Sequence, residues 1–200
     1  MDRFIHFSDL EKQFTEGIHF RKTKIDRGCE IVILAPHGGC IERGTSELAR
    51  AVAGENLSLY LFEGLMRIAK DSQALHITST RFDEPRCLNL IRRYPKALAI
   101  HGCCGKEPMI FVGGKDNTLK NALIIELSAK GYPIQLGTGK YAGSCSANIC
   151  NRTSTCQGVQ LELSNGLRRL LFDDWKNRKG RKITTDLFAR MASDIRDVIE

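Results

Sequence analysis

The stretch Ala35-Pro36-His37-Gly38-Gly39-Cys40-Ile41-Glu42-Arg43-Gly44-Thr45-Ser46 places an imidazole and a carboxylate in one glycine-rich turn. It follows the continuous apolar run Ile31-Val32-Ile33-Leu34-Ala35, the mark of a strand buried on both faces. A neutral imidazole and a carboxylate both ligate zinc, and three such ligands leave a fourth position for water. A surface turn with an unrelated His and Glu would carry the same letters. A second apolar run, Ala97-Leu98-Ala99-Ile100, ends in His101-Gly102-Cys103-Cys104-Gly105. Two strands that each deliver a histidine to a glycine-rich end favour a metal centre, because functional groups collect at strand carboxyl ends in open α/β sheets. A phosphate loop is disfavoured, since no GxxxxGK[ST] run is present.

Gly158-Val159-Gln160-Leu161-Glu162-Leu163 offers one more group. Strand alternation sets Glu162 on the face opposite Leu161 and Leu163. It is either a carboxylate on the solvated face of an edge strand or a general base that takes a proton from the attacking water. The pattern alone does not separate the two.

The elements that must position these groups follow from periodicity. Ser8-Asp9-Leu10-Glu11 reads as a capping box opening a short helix. Pro36 is expected to end the first strand, and a helix follows over Ser46–Gly54 with Leu48, Ala49, Val52 and Ala53 on one face. Further strands are predicted at Leu57–Phe62, Leu75–Ser79, Ala97–His101, Met109–Val112, Ile134–Leu136 and Val159–Leu163. Helices are predicted at Glu84–Arg93, Thr118–Lys130 and Thr185–Ile199, and Lys176–Lys182 reads as a solvated basic loop. Alternating strands and helices imply an α/β single domain over residues 1–200, a mixed sheet flanked by helices on both faces.

Composition narrows the class. The chain has 200 residues, 42% hydrophobic and 26% charged, an ordinary globular balance with room for a sizeable core. The first residues lack an apolar h-region and no run suits a membrane span, so a cytoplasmic protein with no membrane partner is expected. Eight cysteines miss the CxxC spacing of structural zinc sites and read as reduced, mostly buried thiols. A net charge of +7 favours an acidic partner: a polyanionic substrate, an anionic surface or nucleic acid.

His37-Gly38-Gly39-x-Ile41-Glu42-x-Gly44-Thr45-Ser46-Glu47, Leu75-His76-Ile77-Thr78-Ser79, Phe82-Asp83-Glu84-Pro85, Ile100-His101-Gly102 and Asn151-Arg152 with Gly158–Leu163 occur in order. Together they resemble the poly-γ-glutamate hydrolase family, phage-type zinc enzymes that cut γ-glutamyl amide bonds, over roughly Ala35 to Arg168. The resemblance implies a fold similar to the zinc carboxypeptidases. It also implies Zn2+ held by His37, Glu42 and His101, and Glu162 as base. Arg152 is then the first candidate to steady the oxyanion, and Arg81 and Arg168 are candidates for holding substrate carboxylates. His76 rivals His101 as third ligand but is set aside, because it falls near the start of its predicted strand, away from the site. The expected partner is an anionic polymer such as poly-γ-glutamate, met by a monomer and reached through lysis if the chain is phage-encoded. Alternatives are a zinc peptidase or amidase on cell-wall peptides, and a basic nucleic-acid-binding protein of phage replication. The last lacks any RNP, zinc-finger or helix-turn-helix pattern. A Cys-His nucleophilic enzyme ranks lower still, since nothing sets a cysteine beside a base.

Overall fold

The computed structural model describes residues 2–66, 73–177 and 179–200. Among the described residues seven strands form one sheet: β1 (Phe20–Ile25), β2 (Ile31–Gly39), β3 (Ser58–Gly64), β4 (Lys96–Cys103), β5 (Ile110–Gly114), β6 (Ile134–Leu136) and β7 (Val159–Ser164). Their spatial order is β1-β3-β2-β4-β7-β5-β6. Strands β3, β2, β4 and β7 run parallel, so their carboxyl ends share one edge. At the flanks β1 is antiparallel to β3 and β5 antiparallel to β7, which makes the sheet mixed.

Alternate residues of the central strands enter two cores. Ile31, Ile33, Leu98, Ile100, Leu161 and Leu163 face α2 (Thr45–Ala53), α4 (Asn117–Ala129) and α6 (Asp186–Ile199). Val32, Leu34, Ala97 and Ala99 face α1 (Phe7–Gln13) and α3 (Pro85–Ile91). A strand apolar on both faces needs cover on both, which is why β2 is buried along its whole length. The expected α/β architecture with helices on both faces is therefore present.

Several local expectations are corrected. Strand β2 does not stop at Pro36 but runs on to Gly39, with a register shift against β3 between Ala35 and Gly38. Pro36 is tolerated because the pairing with β4 ends at Leu34, so the missing N–H lies at the bulge. Leu75–Ser79 is not a strand; the segment runs irregularly across the strand ends. Its apolar letters are explained by Leu75 and Ile77, both buried in the second core. Strand β1 has no counterpart among the expected elements, because half of Phe20-Arg21-Lys22-Thr23-Lys24-Ile25 is charged, as befits a sheet edge. Helix α5 (Asn165–Leu170), capped by Ser164, is likewise an addition. The capping box fails as well: α1 begins at Phe7, whose N–H donates to Asp83 Oδ1 (2.7 Å).

The basic loop is not uniformly solvated. Arg181 is 1% exposed, donating to Glu47 Oε1 (2.9 Å), Trp175 O (3.1 Å) and Gly39 O (3.3 Å). Arg178, inside the same predicted loop, lies outside the described residues. All eight cysteines are free; four are buried, one half-buried and three exposed, so the expectation of mostly buried thiols is met only in part.

Candidate metal centre

His37 sits in the bulged end of β2, and bulges re-aim side chains. Gly39 follows at φ +68, where a Cβ would come within 2.3 Å of Gly64 O. Only glycine allows the chain to turn there against β3, and the turn brings Glu42 back beneath His37. The His37 Nε2–H donates to Ile77 O (2.8 Å), which leaves its Nδ1 to face Glu42 Oε1 at 3.2 Å. His101, near the end of β4, brings its Nδ1 to 3.2 Å from His37 Nδ1 and 3.6 Å from Glu42 Oε2. Its Nε2 lies 3.4 Å from Ser79 Oγ. Glu42 Oε2 also accepts the Gly102 N–H (2.8 Å).

His76 joins the same cluster. Its Nδ1–H donates to Asp2 Oδ1 (2.7 Å), while its Nε2 points to Glu42 Oε1 at 3.9 Å. Donor atoms of His37, Glu42 and His76 lie within 4.8 Å of one another. The ground for setting His76 aside, its place in a predicted strand, is gone. Sequence reasoning misses Asp2 and the segment 76–79 as supports. That one segment supplies Ile77 O to His37, Ser79 Oγ to His101 and the His76 imidazole itself. The only signal in the sequence is the second histidine-bearing motif. An aspartate at position 2 carries none.

Electrostatics bind the group together. Burial pushes the Glu42 carboxyl up, but His37 and His101 outweigh it and hold it well below the usual carboxylate range. Burial alone would lower His101, yet the carboxylates of Glu42 and Glu162 leave its pKa raised. The neighbouring His37 and burial lower His76. A half-buried anion thus faces imidazole nitrogens aimed at it. Ligand atoms on a tetrahedron with ~2.1 Å bonds stand roughly 3.4 Å apart, so the 3.2 and 3.6 Å separations fit a small borderline cation bound by nitrogen and oxygen. These residues could hold a metal ion.

Glu162 pairs in register with His101 on β4 and with Phe111 on β5, on the face away from Leu161 and Leu163. It lies on an inner strand, which removes the solvated-edge alternative. Burial pushes its carboxyl up to about 6. Gln160 Nε2 donates to Glu162 Oε1 (3.2 Å), and Asn148 Nδ2 donates in turn to Gln160 Oε1 (2.7 Å). Glu162 is therefore a held carboxylate beside His101, able to exchange a proton near neutral pH.

The arginines divide. Arg168 is buried and lines an open pocket with Glu42, His76, Gly102, Cys103 and Trp175. Cys40 and Cys104 reach the same pocket. Arg152 Nε donates to Ala147 O (3.2 Å) within its own loop, and Arg81 is exposed. The structure thus brings together His37, Glu42, His101 and Glu162, with Arg168 beside them; no described contact ties Arg152 or Arg81 to the cluster. Three residues of the other motifs, Asp83, Glu84 and Asn151, have structural roles. Asp83 anchors α1, Glu84 caps α3 while accepting from Tyr60 Oη (2.6 Å), and Asn151 pins its loop through Gly143 O (2.7 Å) and Cys145 O (2.9 Å).

A mixed sheet with a histidine–carboxylate cluster at its parallel strand ends defines an α/β protein with a candidate metal centre. The family described as Poly-gamma-glutamate hydrolase matches residues 4–194, and the chain belongs to it, which makes it a hydrolase by family. It is 36% identical over 203 residues to the UPF0714 protein YmaC of Bacillus subtilis (strain 168), covering 100% of this chain and 84% of that one. A bacteriophage poly-γ-glutamate hydrolase structure superposes with a TM-score of 0.95 at 31% identity, over 100% of this chain and 97% of that one. A zinc-free structure of YNDL does so with a TM-score of 0.94 at 33% identity, over 100% and 98%. Among the described residues no helix is long and apolar enough to cross a membrane.

Proposed function

We propose that this protein hydrolyses γ-glutamyl amide bonds of poly-γ-glutamate or a closely related polymer, with zinc held by His37, Glu42 and His101. The observation that carries the reading is the approach of His37 Nδ1, His101 Nδ1 and the Glu42 carboxylate to 3.2–3.6 Å in a chain of this family. The similar YNDL structure is a zinc-free apo form, which supports zinc as the metal to try first. A net charge of +7 suits a polyanion.

When bound, zinc supplies Lewis-acid chemistry, polarising a carbonyl and lowering the pKa of water. Glu42 is kept ionised by its histidines, so it offers a charged oxygen at any pH near neutrality. The hydrogen bond from His37 Nε2 to Ile77 O fixes which nitrogen faces the centre. Glu162, oriented by Gln160, takes the proton of the attacking water on a carboxylate oxygen. It then returns that proton to the departing amine as the C–N bond breaks, leaving a carboxylate and a free amine. His76, tied to Asp2 and lining the pocket, stands on the side where substrate enters. Arg152 follows a turn at Ile149–Asn151 packed against β4 and β7, and is the guanidinium this reading assigns to the developing oxyanion.

The test is direct. Purified protein incubated with poly-γ-glutamate should shorten the polymer by size-exclusion chromatography and release free amines. A chelator should abolish this and added zinc should restore it. Intact polymer in the presence of saturating zinc would overturn the substrate assignment.

A further inference from the structure

The guanidinium of Arg168 has an arrangement that its expected role as a holder of substrate carboxylate does not explain. It is 4% exposed. Nε donates to Leu163 O (3.0 Å), Nη1 to Arg43 O (2.7 Å), and Nη2 to both Cys103 O (3.1 Å) and Asn165 Oδ1 (2.7 Å). Four of its five N–H groups are therefore spent on neutral oxygens, and the remaining Nη1 hydrogen cannot form the two-pronged grip that selects guanidinium for carboxylates.

The three carbonyls are not arbitrary. Leu163 follows Glu162, Arg43 follows Glu42, and Cys103 lies two residues beyond His101. They belong to β7, to the turn after β2, and to β4. One planar group thus ties together the three backbone segments that carry the base and two ligands. Gly102 is fitted to it: a Cβ there would stand 2.5 Å from Arg168 Cζ, while the Gly102 N–H binds Glu42 Oε2. Trp175 closes the other side, its ring centroid 5.3 Å from Cζ.

We infer that Arg168 is a positioning residue of the centre, setting the separation of Glu42, His101 and Glu162 rather than binding substrate. Lysine cannot take its place, because an ammonium is a compact point donor and does not span carbonyls on three segments. This rests on the reading that those residues form one zinc-dependent centre.

The experiment measures zinc Kd by chelator competition, steady-state kcat and KM on poly-γ-glutamate, and Tm for wild type, Arg168→Lys and Asn165→Ala. Arg168→Lys should weaken zinc binding and lower kcat by about 10- to 100-fold each, the usual effect of losing an outer support, with KM unchanged. Asn165→Ala removes one of the four bonds and should move the same quantities in the same direction by less. It keeps the test alive if Arg168→Lys does not fold. A raised KM at unchanged kcat would mean that Arg168 holds substrate. A lowered Tm with zinc Kd and kcat of the folded protein unchanged would leave it merely structural. Either result overturns the inference. A wild type that neither binds zinc nor cuts the polymer sinks the functional proposal instead, so the two failures are distinguishable.

Discussion

Each imidazole in the centre is held by a partner on its outer nitrogen: Ile77 O for His37, Ser79 Oγ for His101 and Asp2 for His76. Such partners fix tautomer and ring orientation, so the inner nitrogens are presented rather than found by chance. Three donors besides Glu42 would close a four-coordinate site, whereas a catalytic site keeps one position open. His76, with a side chain 26% exposed against 2% for His101, is the one on the open side. We therefore expect His101→Ala to lose stoichiometric zinc and His76→Ala to keep it with weaker affinity, read by metal analysis after dialysis; the reverse pattern would exchange their roles. Glu162→Gln should keep its zinc and lose roughly 100- to 10,000-fold in kcat. The pH dependence follows from the same group. Because burial raises the Glu162 carboxyl to about 6, the base is consumed as pH falls through that value. A pH–rate profile should show an acid limb near there, and the limb should vanish from the residual rate of Glu162→Gln.

Among the elements, the turn after β2 is the part on which the site depends most. It is held from three sides. Ser46 Oγ accepts the Gly39 N–H (3.1 Å) and donates to Glu47 Oε2 (3.0 Å), and Glu47 accepts from Arg181, which reaches Gly39 O. This closed circuit joins the Gly39 backbone to the segment bearing Trp175, and so to the pocket wall. Removing Arg181 takes the donor from Glu47 Oε1, leaving that carboxylate with Ser46 alone, and removes a donor from the Trp175 and Gly39 carbonyls. Arg181→Met should destabilise the protein by ~1–3 kcal/mol in urea unfolding and speed hydrogen exchange around Trp175. Unchanged exchange there would show that the segment is held by other contacts. The motif Gly44-Thr45-Ser46-Glu47 is legible as the start of a helix, but the reach of Arg181 to Glu47 is not. A contact between residues so far apart in sequence leaves no trace in local periodicity.

Across the whole molecule, α4 and α6 lie on the face remote from the metal cluster and are joined by one polar knot. Asp194 accepts from Lys130 Nζ (2.6 Å) and Tyr132 Oη (2.6 Å) at the edge of the apolar layer, where Lys130 is exposed. Burial raises Asp194, but these donors outweigh it and its carboxyl is depressed. A depressed carboxyl contributes stability above its unfolded value of ~3.9, and that contribution fades as pH falls through the folded value. Asp194→Asn should therefore be less stable than wild type at neutral pH, with the gap closing below about pH 4 in denaturant titrations. Activity per folded molecule should not change, since the knot lies apart from the zinc donors. A gap that persists into acid would assign the effect to packing rather than charge.

Taken alone, the sequence determined the main strands, the long helices and the two strand-end histidines, because apolar runs and helical spacing are local signals that burial on both faces enforces. The edge strand β1 escapes such reading, since Arg21, Lys22 and Lys24 interrupt it and it carries no apolar run. Leu75–Ser79 misleads, because residues buried along an irregular path carry the same letters as a strand. Only the tertiary structure decided which groups meet at His37: the bulge that turns it, the return of Glu42, and the arrival of His76 from a segment with no regular form. It decided too that Arg168 spends its donors on the backbone around Glu42, His101 and Glu162. The opening pair of His37 and Glu42 is readable as ligand types, but its convergence with His101 is a matter of distance, set by strand order and register, which one chain's local pattern does not encode.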